Sequence, residues 1–115
     1  MYVSEWTVVP RDQVEMFCYI CDDDNDIHPE LVPGLQILSL IVPLGRCLPK
    51  VDGQLRLRGL DNVKFKNPLR ADEPVRAKFT LANQKKMLYV WNVTLETRDS
   101  VIATAQWKIA RTDAP

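Results

Sequence analysis

"VPGLQILSLIVPLGRCLP", residues 32–49, is the stretch whose reading decides the fold of this chain. It opens on Pro33-Gly34 and is apolar on nearly every side of a helical projection. Proline suits the first turn of a helix, and a helix that is hydrophobic all round is a buried one. The segment therefore predicts a long buried helix. Pro43 lies inside it and has no N–H for the carbonyl of Ser39, so a kink is expected there.

What buries that helix comes after it. From Gly53 onward the chain reads as strand. "VRAKFTL" (75–81) sets Val75, Ala77, Phe79 and Leu81 against Arg76, Lys78 and Thr80. "VIATAQWKI" (101–109) puts Val101, Ala103, Ala105, Trp107 and Ile109 on one face and Ile102, Thr104, Gln106 and Lys108 on the other. Alternation of period two over such lengths signals half-buried strands of an antiparallel sheet. "LRLRGLDNVKF" (55–65) alternates too, but Gly59-Leu60 shifts its phase as a bulge does. "NQKK" and "RDS" are polar connectors short enough for hairpins. Upstream, "YVSEWTVV" (2–9) reads as a first strand ended by Pro10. "RDQVEMFCYIC" (11–21) follows as a helix whose Val14, Phe17, Cys18 and Cys21 share one buried face. A sheet with one apolar face must cover it. The class is α+β, an antiparallel sheet wrapped around a long central apolar helix.

The 115 residues form one expected domain, 1–115, with 46% hydrophobic and 26% charged residues, an ordinary globular balance. Fifteen basic residues match fifteen acidic ones, so charge gives no reason to expect nucleic acid or a membrane surface as partner. The distribution is uneven: Met1 to Glu30 is acidic apart from Arg11, and Arg56 to Lys78 is mostly basic. That basic stretch is a candidate surface for phosphates of a partner, or a solvated strand face. There is no charged-then-apolar leader and no apolar run near the roughly 18 residues of a membrane span. Three cysteines without a secretory signal suggest reduced thiols and a cytoplasmic protein.

The acidic stretch "CDDDNDIHPE" (21–30) holds four aspartates and the only histidine of the chain. Asp22, Asp24 and Asp26 have the alternate spacing that opens a calcium loop, but its sixth and twelfth positions would be Ile27 and Pro33. Zinc on Cys18, Cys21, His28 and Cys47 lacks paired ligand spacing. The cysteines read as structural, with no metal and no cofactor expected. Two readings of the loop then stand side by side. It is a solvated turn with an exposed or capping histidine, or it is an acid–base site. In the second, an aspartate five residues before a histidine on a bent loop brings both side chains to one water. Gly34, at a helix start, offers a free backbone N–H for charge growing on a neighbouring carbonyl. Those parts suit the reversible hydration of a carbon–carbon double bond.

The run Asp23-Asp24-Asn25-Asp26-Ile27-His28 resembles the Asp-x-Asn-x-(Ile/Leu/Val)-His fingerprint of MaoC-type hot dog proteins. That group includes (R)-specific enoyl-CoA hydratases and 3-hydroxyacyl-thioester dehydratases. Gly34 and Ser39 match the glycine that opens the family's central helix and the serine five residues later. Phe65, Pro68 and Asp72 match a further motif, with Ala71 where glycine is usual. The resemblance spans about Val8 to Ala110. It implies a hot dog fold in which Asp23 and His28 hold and activate the water and Asn25 orients the loop. It also implies that the N–H of Gly34 polarises the thioester carbonyl and that Ser39 lines the pocket. The substrate would be an acyl-CoA or acyl-ACP thioester, and the assembly a homodimer or higher even oligomer with sheets joined edge to edge. ACP dehydratases carry a catalytic acid on the helix where this chain has Ser39, so the Asp/His version is the one implied. Asp26 replaces a proline usual in the fingerprint. The connection from His28 to Gly34 is shorter than in (R)-hydratases, which predicts short or polar acyl groups, or cover from a carrier or partner chain. Thioester hydrolysis, with Asp23 activating water toward the carbonyl, and a non-catalytic acyl-binding or interaction subunit are the competing functions.

Overall fold

The computed structural model describes residues 1–51 and 53–112. In chain order these form β1 (Tyr2–Val3), α1 (Arg11–Cys21), α2 (Gly34–Ser39), α3 (Ile41–Leu44), a 3-10 turn (Gly45–Cys47), and four long strands. The strands are β2 (Gln54–Phe65), β3 (Arg76–Lys85), β4 (Leu88–Glu96) and β5 (Val101–Thr112). They make one antiparallel sheet in the order β1-β3-β4-β5-β2. The α+β class and the strand order along the chain agree with the sequence reading. Among the described residues no helix is long and apolar enough to cross a membrane.

The first strand is much shorter than residues 2–9. Past Val3 the hydroxyl of Ser4 accepts the N–H of Ala77 at 2.8 Å, a bond the backbone ladder would otherwise make. Pairing resumes only at the isolated bridge between Thr7 and Val75. Trp6, between them, lies under the guanidinium groups of Arg76 and Arg98, 4.5 and 4.7 Å from its ring centre.

The central helix also departs from expectation. It is two short helices and a 3-10 turn, broken at Leu40. Pro43 supplies no N–H to Ser39, so the ladder is interrupted one turn earlier. Only one side of it is buried. Ile37, Ile41 and Leu44 face the sheet, whereas Leu35 and Val42 are 72% and 60% exposed. The sheet covers the inner side of this segment, and its outer side, at Leu35 and Val42, is open. The approach is tight at Gly45, where a Cβ would come within 2.8 Å of the Trp107 ring. Trp107 in turn packs on Phe79 with ring centres 6.1 Å apart.

The alternation holds in β3 and in β5 from Ala103 to Ile109, whereas Ile102, expected on the other face, is fully buried as well. Val75, Ala77 and Phe79 are fully buried, but Leu81 on the same face is 43% exposed because the strand outruns its cover. The bulge expected at Gly59 is present as a register shift between Leu57 and Gly59, and a second follows between Asp61 and Lys64. β2 pairs with β5 on one side, and no described strand pairs with its other side.

Candidate active site

α1 begins after Pro10, whose carbonyl accepts the N–H groups of Gln13 and Val14. Its buried line is narrower than the spacing predicts. Val14 and Cys18 face the core, Phe17 is half-buried and Cys21 is exposed. The reading of Cys21 as a core residue is therefore corrected: the helix leans on the core along one i, i+4 line and ends before Cys21 reaches it.

How α1 ends builds the site. Asp22 takes a left-handed conformation (φ 55°), and the N–H of Asp23 turns back to the carbonyl of Cys18 at 2.8 Å. That 6→1 closure is a Schellman cap with aspartate where glycine is commoner. It sets Asp23 directly over the last turn of the helix. Two short aspartate- and asparagine-type turns follow. Asp23 Oδ1 accepts the N–H of Asn25 at 3.1 Å, and Asn25 Oδ1 accepts that of Ile27 at 3.2 Å. Asn25 thus shapes the loop through its side chain. The far end is tied down as well. Arg11 pairs with Glu30, and Val32 donates to Leu69 at 2.8 Å.

The loop brings His28 back to Asp23. His28 Nε2 lies 3.4 Å from Asp23 Oδ2, with the histidine side chain 9% and the aspartate side chain 33% exposed. The other ring nitrogen, Nδ1, is 2.5 Å from the carbonyl oxygen of Leu31. A carbonyl can only accept, so Nδ1 carries a proton, and in the neutral ring that leaves the lone pair on Nε2. The separation of Nε2 and Oδ2 is long for a direct charge-assisted bond, and one water can touch both atoms.

Asp23, Asn25 and His28 share a depression of about 490 Å³ with Glu15, Cys18, Tyr19, Asp22, Asp24 and Asp26. Gly34 and Ser39 do not line it. Gly34 opens α2 after Pro33, and its N–H, first in the helix, has no intrahelical acceptor. A Cβ there would meet the Phe65 ring at 3.0 Å, so the aromatic of the second motif sits against this glycine. Ser39 turns its hydroxyl back onto the carbonyl of Gln36. A larger groove of about 1180 Å³ lies beyond the other end of the helical segment, between Gly45, Arg46, Lys50 and the exposed strand residues Leu55, Leu57 and Leu81. None of the sequence-predicted site residues lines it. The groove is the larger of the two, yet the acid–base pair lies in the smaller depression, and the chemistry decides.

The sequence reading weighed Cys18 with His28 only as part of a zinc set and took it as structural. Its Sγ joins a carboxylate oxygen of Asp23 and a ring nitrogen of His28, all three within 4.8 Å of one another. Burial first, then the charge of Asp23, pushes its thiol above the usual range, so at neutral pH it is a thiol and not a nucleophilic thiolate. Burial likewise raises Cys47, away from the site.

No family model matches the sequence, and no curated protein does so significantly. Solved structures do resemble it. A protein from Archaeoglobus fulgidus superposes with a TM-score of 0.82 at 22% identity, over 96% of this chain and 77% of that one. The (R)-hydratase from A. caviae involved in PHA biosynthesis gives 0.75 at 18%, over 97% and 98%. A mutant of the fluoroacetyl-CoA-specific thioesterase FlK gives 0.76 at 13%, over 95% and 82%. At these identities the likeness carries the architecture alone: the chain has the hot dog fold.

Proposed function

We propose that this protein hydrates trans-2-enoyl thioesters and dehydrates 3-hydroxyacyl thioesters, carried on CoA or ACP, through Asp23 and His28. The observation that carries the reading is the pair itself. A nine-tenths buried imidazole, its Nδ1 held by a main-chain carbonyl, sets Nε2 3.4 Å from a carboxylate oxygen, so that one water beside the pair can touch both atoms.

In the hydration direction that water's oxygen bonds to the β-carbon while Nε2 takes its proton. The π electrons of the double bond move toward the carbonyl, where the N–H of Gly34 stabilises the developing oxyanion. The imidazolium, facing the Asp23 carboxylate, then returns the proton to the α-carbon. Dehydration is the reverse, and no proton is gained or lost overall. Asn25 holds the loop, and Ser39 supports the helix that carries Gly34. The short His28–Gly34 connection favours short or polar acyl groups. Assembly is proposed as a homodimer joined along β2, a strand of twelve residues whose second edge has no partner strand among the described residues and which carries the exposed Leu55, Leu57 and Phe65. A free edge of that length invites a partner strand.

Incubation with crotonyl-CoA near neutral pH tests the reading: the enone absorbance falls and no free thiol appears. Release of free CoA thiol instead indicates thioester hydrolysis, the reading favoured by the likeness to FlK.

A further inference from the structure

The depression around Asp23 and His28 has a second chemical character that hydration does not use. Its lining charges are Glu15, Asp22, Asp23, Asp24 and Asp26, and neither lysine nor arginine lines it. Within that field three different donor atoms converge: a thiol sulfur (Cys18), a carboxylate oxygen (Asp23) and an imidazole nitrogen (His28), within 4.8 Å of one another. The imidazole is oriented as metal-binding histidines are. Nδ1–H is held by a carbonyl, which leaves Nε2 as the ligand atom.

The donor set discriminates among cations. Calcium and magnesium take oxygen ligands, and neither a thiol nor an imidazole suits them. A mixed sulfur, nitrogen and oxygen set suits zinc and cations like it, at roughly 2.0–2.3 Å per bond in a tetrahedron. Such bonds separate ligand atoms by about 3.3–3.7 Å, and His28 Nε2 and Asp23 Oδ2 already stand 3.4 Å apart. The sulfur, within 4.8 Å of both, has to close in by on the order of 1 Å to reach those separations. The other two cysteines weighed in the sequence do not contribute: Cys21 is exposed, and Cys47 belongs to the 3-10 turn.

We infer that Cys18, Asp23 and His28 bind one thiophilic divalent cation of the zinc class, leaving a fourth position open to the depression. On binding, the Cys18 thiol gives its proton to solvent and the thiolate is held by the metal. The same two groups serve the proposed hydration, so the metal-loaded and hydrating states exclude each other. This last clause rests on the proposed function, whereas the binding does not.

The test is a titration of the full chain with cobalt(II), read by its visible ligand-field bands and by thiolate-to-cobalt charge transfer in the near ultraviolet. Both should saturate at one cobalt per chain and be displaced by equimolar zinc. They should be lost in Cys18→Ser and weakened at least ~10-fold in Asp23→Ala, a change at a partly exposed side chain that leaves the core intact. The double variant Cys21→Ser/Cys47→Ser should retain the full spectrum. Charge transfer that persists in Cys18→Ser, or vanishes in that double variant, overturns the assignment, as does its absence in the wild type. Stoichiometric zinc should also stop crotonyl-CoA hydration and a chelator restore it; hydration that continues at saturating zinc overturns the exclusion. Because the cobalt spectrum needs no turnover, a protein without hydratase activity still gives a clean result.

Discussion

Asp23→Asn is the sharpest probe of the acid–base reading, because it removes one charge and almost no volume. The new amide oxygen can still accept the N–H of Asn25, as Oδ1 does now at 3.1 Å, so the loop keeps its turn. The amide nitrogen, however, would stand about where Oδ2 is, facing His28 Nε2 at a separation now 3.4 Å. An N–H pointed at that lone pair occupies the atom that must take the proton from water. Removing a positioned acid or base typically costs about 10²–10⁴ in rate, which is about 2.7–5.4 kcal/mol of barrier at 1.36 kcal/mol per tenfold. Stability should change little, since the side chain is one-third exposed. His28→Ala should lose a similar factor, and the double variant should be little worse than either, because groups that act as one unit are not additive. Asp22→Asn and Asp24→Asn should stay near wild type. Asparagine tolerates the left-handed conformation at 22, and neither residue faces the imidazole in an ion pair. The assay is initial hydration of crotonyl-CoA, with circular dichroism as the fold control. Full activity in His28→Ala, or equal losses across all four aspartates, refutes the reasoning.

The remaining predictions concern assembly and stability. Light scattering should give a dimer for the wild type and a shift toward monomer for Leu57→Asp, an exposed β2 position where a charge costs the isolated chain less than about 0.5 kcal/mol; a wild type that is monomeric at every concentration contradicts edge pairing. Gly45→Ala should lower the melting temperature, because its Cβ would lie 2.8 and 2.9 Å from Trp107 carbons; overpacking costs about 1–3 kcal/mol, on the order of 4 °C or more, and an unchanged midpoint rules the clash out. Burial pushes the Glu96 carboxyl up, but hydrogen bonds and charge from Arg76 and Lys78 outweigh it and hold it below the usual range. Its contribution is therefore present above the unfolded carboxylate pKa of about 4.3 and lost as pH falls through the lower folded value. Glu96→Gln should be less stable than wild type at pH 7 by about 1–3 kcal/mol, with the gap closing in acid; a gap that does not change with pH refutes the ion-pair origin.

The sheet was legible because burial imposes a period of two wherever a strand has one covered face. Val75, Ala77 and Phe79 obey it, and Leu81 has the same pattern without the burial, since nothing in the alternation marks where cover ends. The central helix was legible as an apolar segment but not as an unbroken one. Pro43 gave the position of the disturbance. What it did not give was the outcome, because whether a chain kinks or divides depends on the packing of neighbours such as Trp107 against Gly45. The reading of "apolar all round" as "buried all round" failed at Leu35 and Val42 for a related reason. Hydrophobic residues need not be inside, and a helix laid on an open sheet has an outer side.

The meeting of Asp23 and His28 was legible from a five-residue spacing, and the structure gives its physical basis in the side-chain turns of Asp23 and Asn25. Cys18 was not. It reaches the pair because Asp22 turns the chain back over the helix end, and aspartate marks a left-handed cap far less clearly than glycine does. The choice of ring nitrogen was illegible in principle. Nδ1 is bound by the main-chain carbonyl of Leu31, and every amino acid offers that carbonyl. A substitution at 31 can alter the tautomer only by moving the backbone. The side-chain half of the site can therefore be changed residue by residue, while the half that directs Nε2 toward Asp23 belongs to the path of the chain between His28 and Val32. That path is pinned by the N–H of Leu31 on Ile27 and of Val32 on Leu69, at 3.0 and 2.8 Å.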